Sequence, residues 1–119
     1  MNFMKLIMLT CSFIVIDVFT GLLKSFKQGT FNSSIMRQGF FHKTAEVSTI
    51  FIVYYLTYVL RYIGFEIPSF ILVSINVYFI GMEMGSIIEN IGCVNPQMKD
   101  VFGKFFEKLK EGDTNGTKN

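Results

Sequence analysis

The stretch FMKLIMLTCSFIVIDVFTGLL, residues 3–23, decides the fold, because most of its side chains are apolar. A helix of this length, rising about 1.5 Å per residue, crosses the roughly 30 Å of hydrocarbon in a bilayer. Asp17 lies well inside the stretch and needs a partner, water or a proton there. A basic start also opens a signal peptide, but no small-residue cleavage site follows, so we expect a retained membrane helix.

Two further apolar stretches, residues 44–63 and 69–88, have the length of membrane spans. Gly64 and Pro68 predict a tight connection between them, which makes the two helices antiparallel neighbours. The sequence therefore predicts an all-α integral membrane protein with three transmembrane helices in one domain, residues 1–96. A two-span alternative, in which the first segment only lies in the interface, stays open.

The segment between the first two spans, residues 24–43, is basic and contains no acid. Positive loops stay in the cytoplasm, so we expect this segment there. Residues 28–30 predict a turn, and Asn32 with the serines after it offers helix-capping oxygens. Either a short interfacial helix or an early start of the second span should follow.

The C-terminal segment, residues 97–119, is predicted to be a charged, amphipathic cytoplasmic helix. Its lysines place the C-terminus inside, and an odd number of spans then places the N-terminus outside. The basic residues expected at the membrane surface are Lys24, Lys27, Arg37, Lys43, Lys99, Lys104, Lys108 and Lys110.

Polar side chains recur at intervals of seven in each span, as at Thr10 and Asp17. Such positions share one helical face, since seven residues drift by only about 20°. The face either forms hydrogen bonds between helices or lines a water-filled lumen after oligomerisation. The candidate residues for this polar face are Asp17, Ser48, Asn76, Glu83, Glu89 and Asn90.

Two smaller patterns concern packing. Gly81 and Gly85 form a small-xxx-small pair with Ser86 beside them, which allows another helix to approach closely. His42 and Lys43 precede Glu46 by four and three residues, so a helix places all three on one face, with His42 as an interfacial partner of Glu46.

The sequence does not indicate an enzyme. It has no phosphate-binding glycine loop and no nucleophile next to a base, so we predict no catalytic residue, no cofactor and no bound metal. Cys11 and Cys93 are far apart and are interpreted as inert thiols. The net charge of +2 is too small for a nucleic-acid binder.

Two motifs carry a family resemblance. The first is DVFTGLLK at residues 17–24, followed by Ser33-Ser34, Arg37-Gln38-Gly39 and Lys43; the second is EMGSIIEN at residues 83–90, followed by Gly92 and Pro96. Together they resemble the phage holin family that includes clostridial toxin-secretion holins. The resemblance covers roughly residues 10–100.

The resemblance implies a protein that oligomerises in the bacterial cytoplasmic membrane and forms lesions. Through these lesions an endolysin or a large toxin leaves the cell, without direct binding between the two proteins. The partners expected are therefore the lipid bilayer and further copies of the chain. The alternatives are a non-permeabilising anchor, an antagonist of another holin, and a small ion channel.

Overall fold

Four helices make up the part of the chain that the structure, a computed structural model, describes: residues 2–30 and 32–117. They are α1 (Phe3–Gln28), α2 (Ser33–Tyr62), α3 (Ser69–Val94) and α4 (Pro96–Thr117). The all-α fold expected from the sequence is thereby confirmed. The last two residues of the predicted tail, 118–119, lie outside the described residues.

The turn between α1 and α2 is much shorter than the polar segment 24–43. Gly29 ends α1 in the left-handed conformation, with φ of 65°, which glycine adopts without steric cost. Asn32 begins α2, and its side-chain oxygen accepts a hydrogen bond of 2.8 Å from the Ser34 N–H. The helix that contains the second predicted span therefore starts early, which was one of the two alternatives.

The connection between α2 and α3, residues 63–68, is the tight one expected from its glycine and proline. Gly64 has φ of 102°, and Pro68 immediately precedes the first residue of α3. Lys43, in the first half of α2, contacts Glu83 in the second half of α3, and because the connection between the helices is short, this contact requires them to be antiparallel.

The main packing of the molecule is between α1 and α3. These helices run parallel, because Thr10 contacts Asn76 and, further along both, Asp17 contacts Asn90. From α2, Ile50 joins the buried cluster around Ile7 and Ile14 of α1. Val47 and Tyr54 of α2 pack against the same cluster, and the molecule is flat, measuring 53 × 51 × 16 Å.

Among the described helices, α1 and α3 are long and apolar enough to cross a membrane. Helix α2 does not pass the same test, because tyrosines and hydroxyl residues interrupt its apolar stretch. Two of the three predicted spans, in α1 and α3, therefore have the length and apolar composition of a membrane span, and the span predicted in α2 is not confirmed.

Candidate functional site

A cluster of charged side chains joins the three long helices. The Lys43 ammonium of α2 lies 2.6 Å from Asp17 Oδ2 of α1 and 2.8 Å from both carboxylate oxygens of Glu83 of α3. Asp17 and Glu83 are 4% and 1% exposed, and the Lys43 side chain is 21% exposed. We call these residues, with Glu46, the ion cluster.

Glu46, one turn after Lys43, adds a third carboxyl group to the ion cluster. Its Oε1 lies 3.8 Å from Lys43 Nζ and 3.2 Å from His42 Nε2, which confirms the predicted neighbours. These contacts have ion-pair distances without hydrogen-bond geometry, and neither oxygen of Glu46 has a hydrogen-bond partner among the described residues. Three carboxyl groups thus surround one ammonium.

Uncharged polar side chains extend the ion cluster along the interface of α1 and α3. The Thr10 hydroxyl donates a hydrogen bond of 2.7 Å to Asn76 Oδ1, and both residues are fully buried. Further along both helices, seven residues on α1 and fourteen on α3, the Asn90 amide donates to Asp17 Oδ1 at 3.0 Å and to the Thr20 hydroxyl at 3.2 Å. Because both steps are multiples of seven, the paired side chains lie on one face of each helix.

The charge of the ion cluster is not balanced by Lys43 alone. A charged side chain in the middle of a bilayer costs at least about 2.5 kcal/mol on insertion scales, and a buried ion pair offsets this cost only when every charge finds a partner. Lys43 pairs closely with Asp17 and Glu83, which leaves Glu46 with the longer contacts. One ammonium therefore faces three carboxyl groups and pairs closely with only two of them.

The model of the bacteriophage holin family matches residues 1–111. The chain belongs to this family. Nothing among curated proteins and no solved structure matches the sequence. Membership, with two helices that are long and apolar enough to span, makes this holin a membrane protein associated with phage lysis.

The holin brings together four of the six residues predicted for its polar face. Asp17, Asn76, Glu83 and Asn90 are buried between the helices, whereas Ser48 and Glu89 are exposed on other faces. The exposed position of Ser48 shows that α2 turns a different face inward from the one its heptad pattern indicated.

The inward face of α2 in the holin carries Lys43, Glu46 and Ile50. Sequence reasoning expected Lys43 at the membrane surface and did not assign it to the polar face. The spacing of three and then four residues was the available signal, since it places all three side chains on one face. Because the third residue on this face, Ile50, is apolar, a search for repeating polar residues alone does not find the face.

In the single holin chain, no helix of the described residues packs against the predicted small-residue pair Gly81 and Gly85. Added Cβ atoms at Gly81 and Gly85 would have no atom within 4 Å, and both glycines are exposed. Their neighbour Ser86 is half-buried. The role of Gly81 and Gly85 in packing against another chain stays a prediction.

The predicted surface basic residues of the holin have different environments. The Lys27 ammonium donates hydrogen bonds to the carbonyl oxygens of Cys93 and Val94 at the end of α3. Arg37 is exposed, Lys24 is half-buried, and Lys99 packs against Gly92. The remaining basic positions, all exposed on α4, are Lys104, Lys108 and Lys110.

No group of three His, Cys, Asp or Glu side chains within the described part of the holin is arranged to hold a metal ion.

Proposed function

We propose that the holin assembles in the bacterial cytoplasmic membrane into lesions that release an endolysin, and so times lysis of the host cell. The single observation that supports this function is the ion cluster inside helices with apolar outer surfaces. Charged groups within a membrane are costly and are found where they face a bundle interior or water. A protein whose helix interface excludes water before assembly and is hydrated in the lesion needs charged groups at that interface.

The proposal includes three membrane spans. Helices α1 and α3 are parallel, so if both cross the bilayer the chain must return between them. Helix α2 has 30 residues, about 45 Å, and is the described helix between them. Three spans place the two termini on opposite sides, and the basic residues between α1 and α2 and on α4 then favour the predicted orientation with the N-terminus outside and the C-terminus in the cytoplasm.

Opening is proposed to begin at α2. This helix contacts α1 and α3 through the ion cluster and Ile50, while α1 and α3 pack along their lengths. When the density of the protein in the membrane rises, contacts between chains replace those of α2. Asp17 and Glu83 then face water in the lesion.

The test is induced expression in a bacterium that carries a cytoplasmic endolysin without its own export signal, while membrane potential and turbidity are followed together. Abrupt depolarisation followed by lysis only when both proteins are present supports a large lesion. Depolarisation without lysis identifies a small ion channel, and no change in either signal contradicts the proposal. A large folded toxin in place of the endolysin tests the second predicted cargo.

Neutral variants of the ion cluster connect the function to the site. Asp17→Asn and Glu83→Gln keep the size of each side chain but change the charge that water must solvate, so we expect shifted lysis timing at unchanged membrane insertion. Glu66→Gln, in the exposed connection between α2 and α3, is the matched control. Unchanged timing in both cluster variants removes the ion cluster from the mechanism.

A second candidate function rests on α4, whose apolar side chains Val101, Phe105 and Leu109 are exposed. Such a face suits a membrane surface or a cytoplasmic partner, as an anchor or an antagonist of another holin requires. Deletion of residues 97–119 separates the two functions. An anchor loses its activity completely, whereas a lesion-forming protein still depolarises the cell at a shifted time.

A further inference from the structure

A groove lies between the second half of α1 and the first part of α2. Thr30 and Asn32 bound one end of this groove, and the Asp17–Lys43 ion pair bounds the other. Its volume is about 740 Å³. From Asp17 to the end of α1 is roughly 17 Å along the helix, so the groove is about half as long as a membrane span.

The walls of the groove are apolar along its length. Val18 and Leu22 line it from α1, and Ile35, Met36 and Phe40 line it from α2. Phe40 is 67% exposed even though it lines the groove. Large exposed apolar surfaces of this kind mark binding sites.

The charge of the groove is positive toward the connection between the helices. Arg37 lines the groove and has no ion pair or hydrogen bond among the described residues. No acid lies between residues 24 and 43, and Asp17 at the other end is already paired with Lys43. Hydroxyl groups of Thr30 and Ser33 lie at the same end as the positive charge.

We infer that this groove binds an anionic phospholipid, with its phosphate at Arg37 and one acyl chain along the apolar walls. A guanidinium recognises phosphate through paired N–H donors, and the walls match a hydrocarbon chain. The inference rests on the proposed placement of α1 and α2 in the membrane. The lipid fills the approach to the ion cluster and so keeps water from it.

A helix of a second copy fits the groove less well than a lipid chain. A helix with its side chains is about 10–12 Å wide, and this groove is bounded at both ends by the chain itself. A flexible acyl chain needs neither the width nor an open end. The positive charge beside the apolar walls also matches the two halves of one amphiphilic molecule.

The experiment measures the thermal unfolding midpoint of the purified full-length protein in nanodiscs of phosphatidylcholine, with or without phosphatidylglycerol. Binding of the anionic lipid to the folded state raises the midpoint by mass action. We expect Arg37→Gln to lose most of this rise. Arg61→Gln removes the same charge at the other end of α2, outside the groove. This variant should keep the full rise of the midpoint with phosphatidylglycerol.

A second pair of variants tests the apolar part of the groove without a change of charge. Gly39 lines the groove and has free space beside it, so Gly39→Leu fills the space and should also abolish most of the rise. Gly103→Leu makes the same change on α4, where an added Cβ also meets no atom, and is the control.

Three outcomes overturn the inference. The first is an equal rise of the unfolding midpoint with phosphatidylglycerol in all four variants, the two at arginines and the two at glycines, which indicates a non-specific surface effect. The second is an equal loss in Arg37→Gln and Arg61→Gln, which indicates general charge. The third is a change of oligomeric state in Gly39→Leu at an unchanged lipid response, which assigns the groove to a second copy. Because lysis is not measured, failure here is distinct from failure of the proposed function.

Discussion

Lys43 is the residue on which the position of α2 depends. Its side chain supplies the positive charge that contacts carboxyl groups of both α1 and α3. Removing one partner of a buried ion pair costs more than the pair itself contributes, because the other charge is left buried and unpaired. Lys43 therefore has a larger effect on folding than an exposed lysine.

We expect Lys43→Met to lower the free energy of unfolding by about 3–5 kcal/mol. The reason is that Asp17 and Glu83 lose their shared partner, and the measurement is unfolding in detergent followed by circular dichroism. In the double variant with Asp17→Asn, the loss should be smaller than the sum of the two single losses. Lys24→Met, at a lysine outside the ion cluster, is the control; an equal loss there contradicts the prediction.

Two glutamates of α3 provide a second comparison at the scale of single residues. Glu83 is buried in the ion cluster, whereas Glu89 is exposed on another face of the same helix. We expect Glu83→Gln to shift the onset of lysis and Glu89→Gln to leave it near that of the unaltered protein. Lysis curves at matched expression measure this; a larger shift for Glu89→Gln shows that the buried cluster does not set the timing.

The sequence correctly predicted which residues face the helix interface where polar positions recur at multiples of seven on two neighbouring helices. Asp17 and Asn90 belong to such repeats on α1 and α3, and the structure pairs them. For α2, the sequence placed Lys43 and Glu46 on one face but assigned that face to the membrane interface, because the polar heptad through Ser48 is more regular. Which face turns inward depends on the partners that other helices offer, and one helix alone does not contain that information.

At the scale of elements, Lys27 connects the end of α1 to the end of α3. Its ammonium donates to carbonyl oxygens of Cys93 and Val94, where the last turn of a helix carries partial negative charge. We expect Lys27→Gln to destabilise this last turn by about 0.3–1 kcal/mol. Hydrogen exchange of the α3 C-terminal amides should accelerate.

The control for this prediction is Lys24→Gln, one turn earlier on α1, at a residue that does not contact these carbonyl oxygens. Faster exchange in both variants points to a general loss of charge rather than to the cap. Exchange that stays slow in Lys27→Gln shows that the contact does not stabilise the helix end.

Helix ends were predicted unevenly for a physical reason. The start of α3 at Ser69 was predicted correctly, because Pro68 marks the boundary in the sequence. Hydropathy placed the end of α1 near Leu23, but the helix continues to Gln28. Hydropathy locates the edge of the hydrocarbon, whereas a helix continues past that edge until a residue such as Gly29 stops it.

At the scale of the whole molecule, the parallel arrangement of α1 and α3 predicts the sides of the membrane on which the connections lie. In a background of Cys11→Ser and Cys93→Ser, we introduce Thr30→Cys or Glu66→Cys, both at exposed positions. A membrane-impermeant maleimide added to intact cells should label only Glu66→Cys, because three spans place these positions on opposite sides and the basic segment around Thr30 is expected in the cytoplasm.

Labelling of both sites only after the cells are permeabilised is the control for expression and reactivity. Equal labelling of both positions in intact cells means that α2 does not cross, and then the three-span arrangement is wrong. The opposite pattern, with Thr30→Cys alone labelled, keeps three spans but reverses the orientation.

The parallel pairing of α1 with α3 also sets a delay during synthesis. Asp17 and Asn90 are 73 residues apart, so at about 5–20 residues per second a ribosome needs roughly 4–15 s to make the second after the first. During that time α1 has left the ribosome without the side chains that will surround its carboxyl group. A newly made N-terminal helix is therefore a substrate for chaperones or membrane proteases until the rest of its own chain arrives.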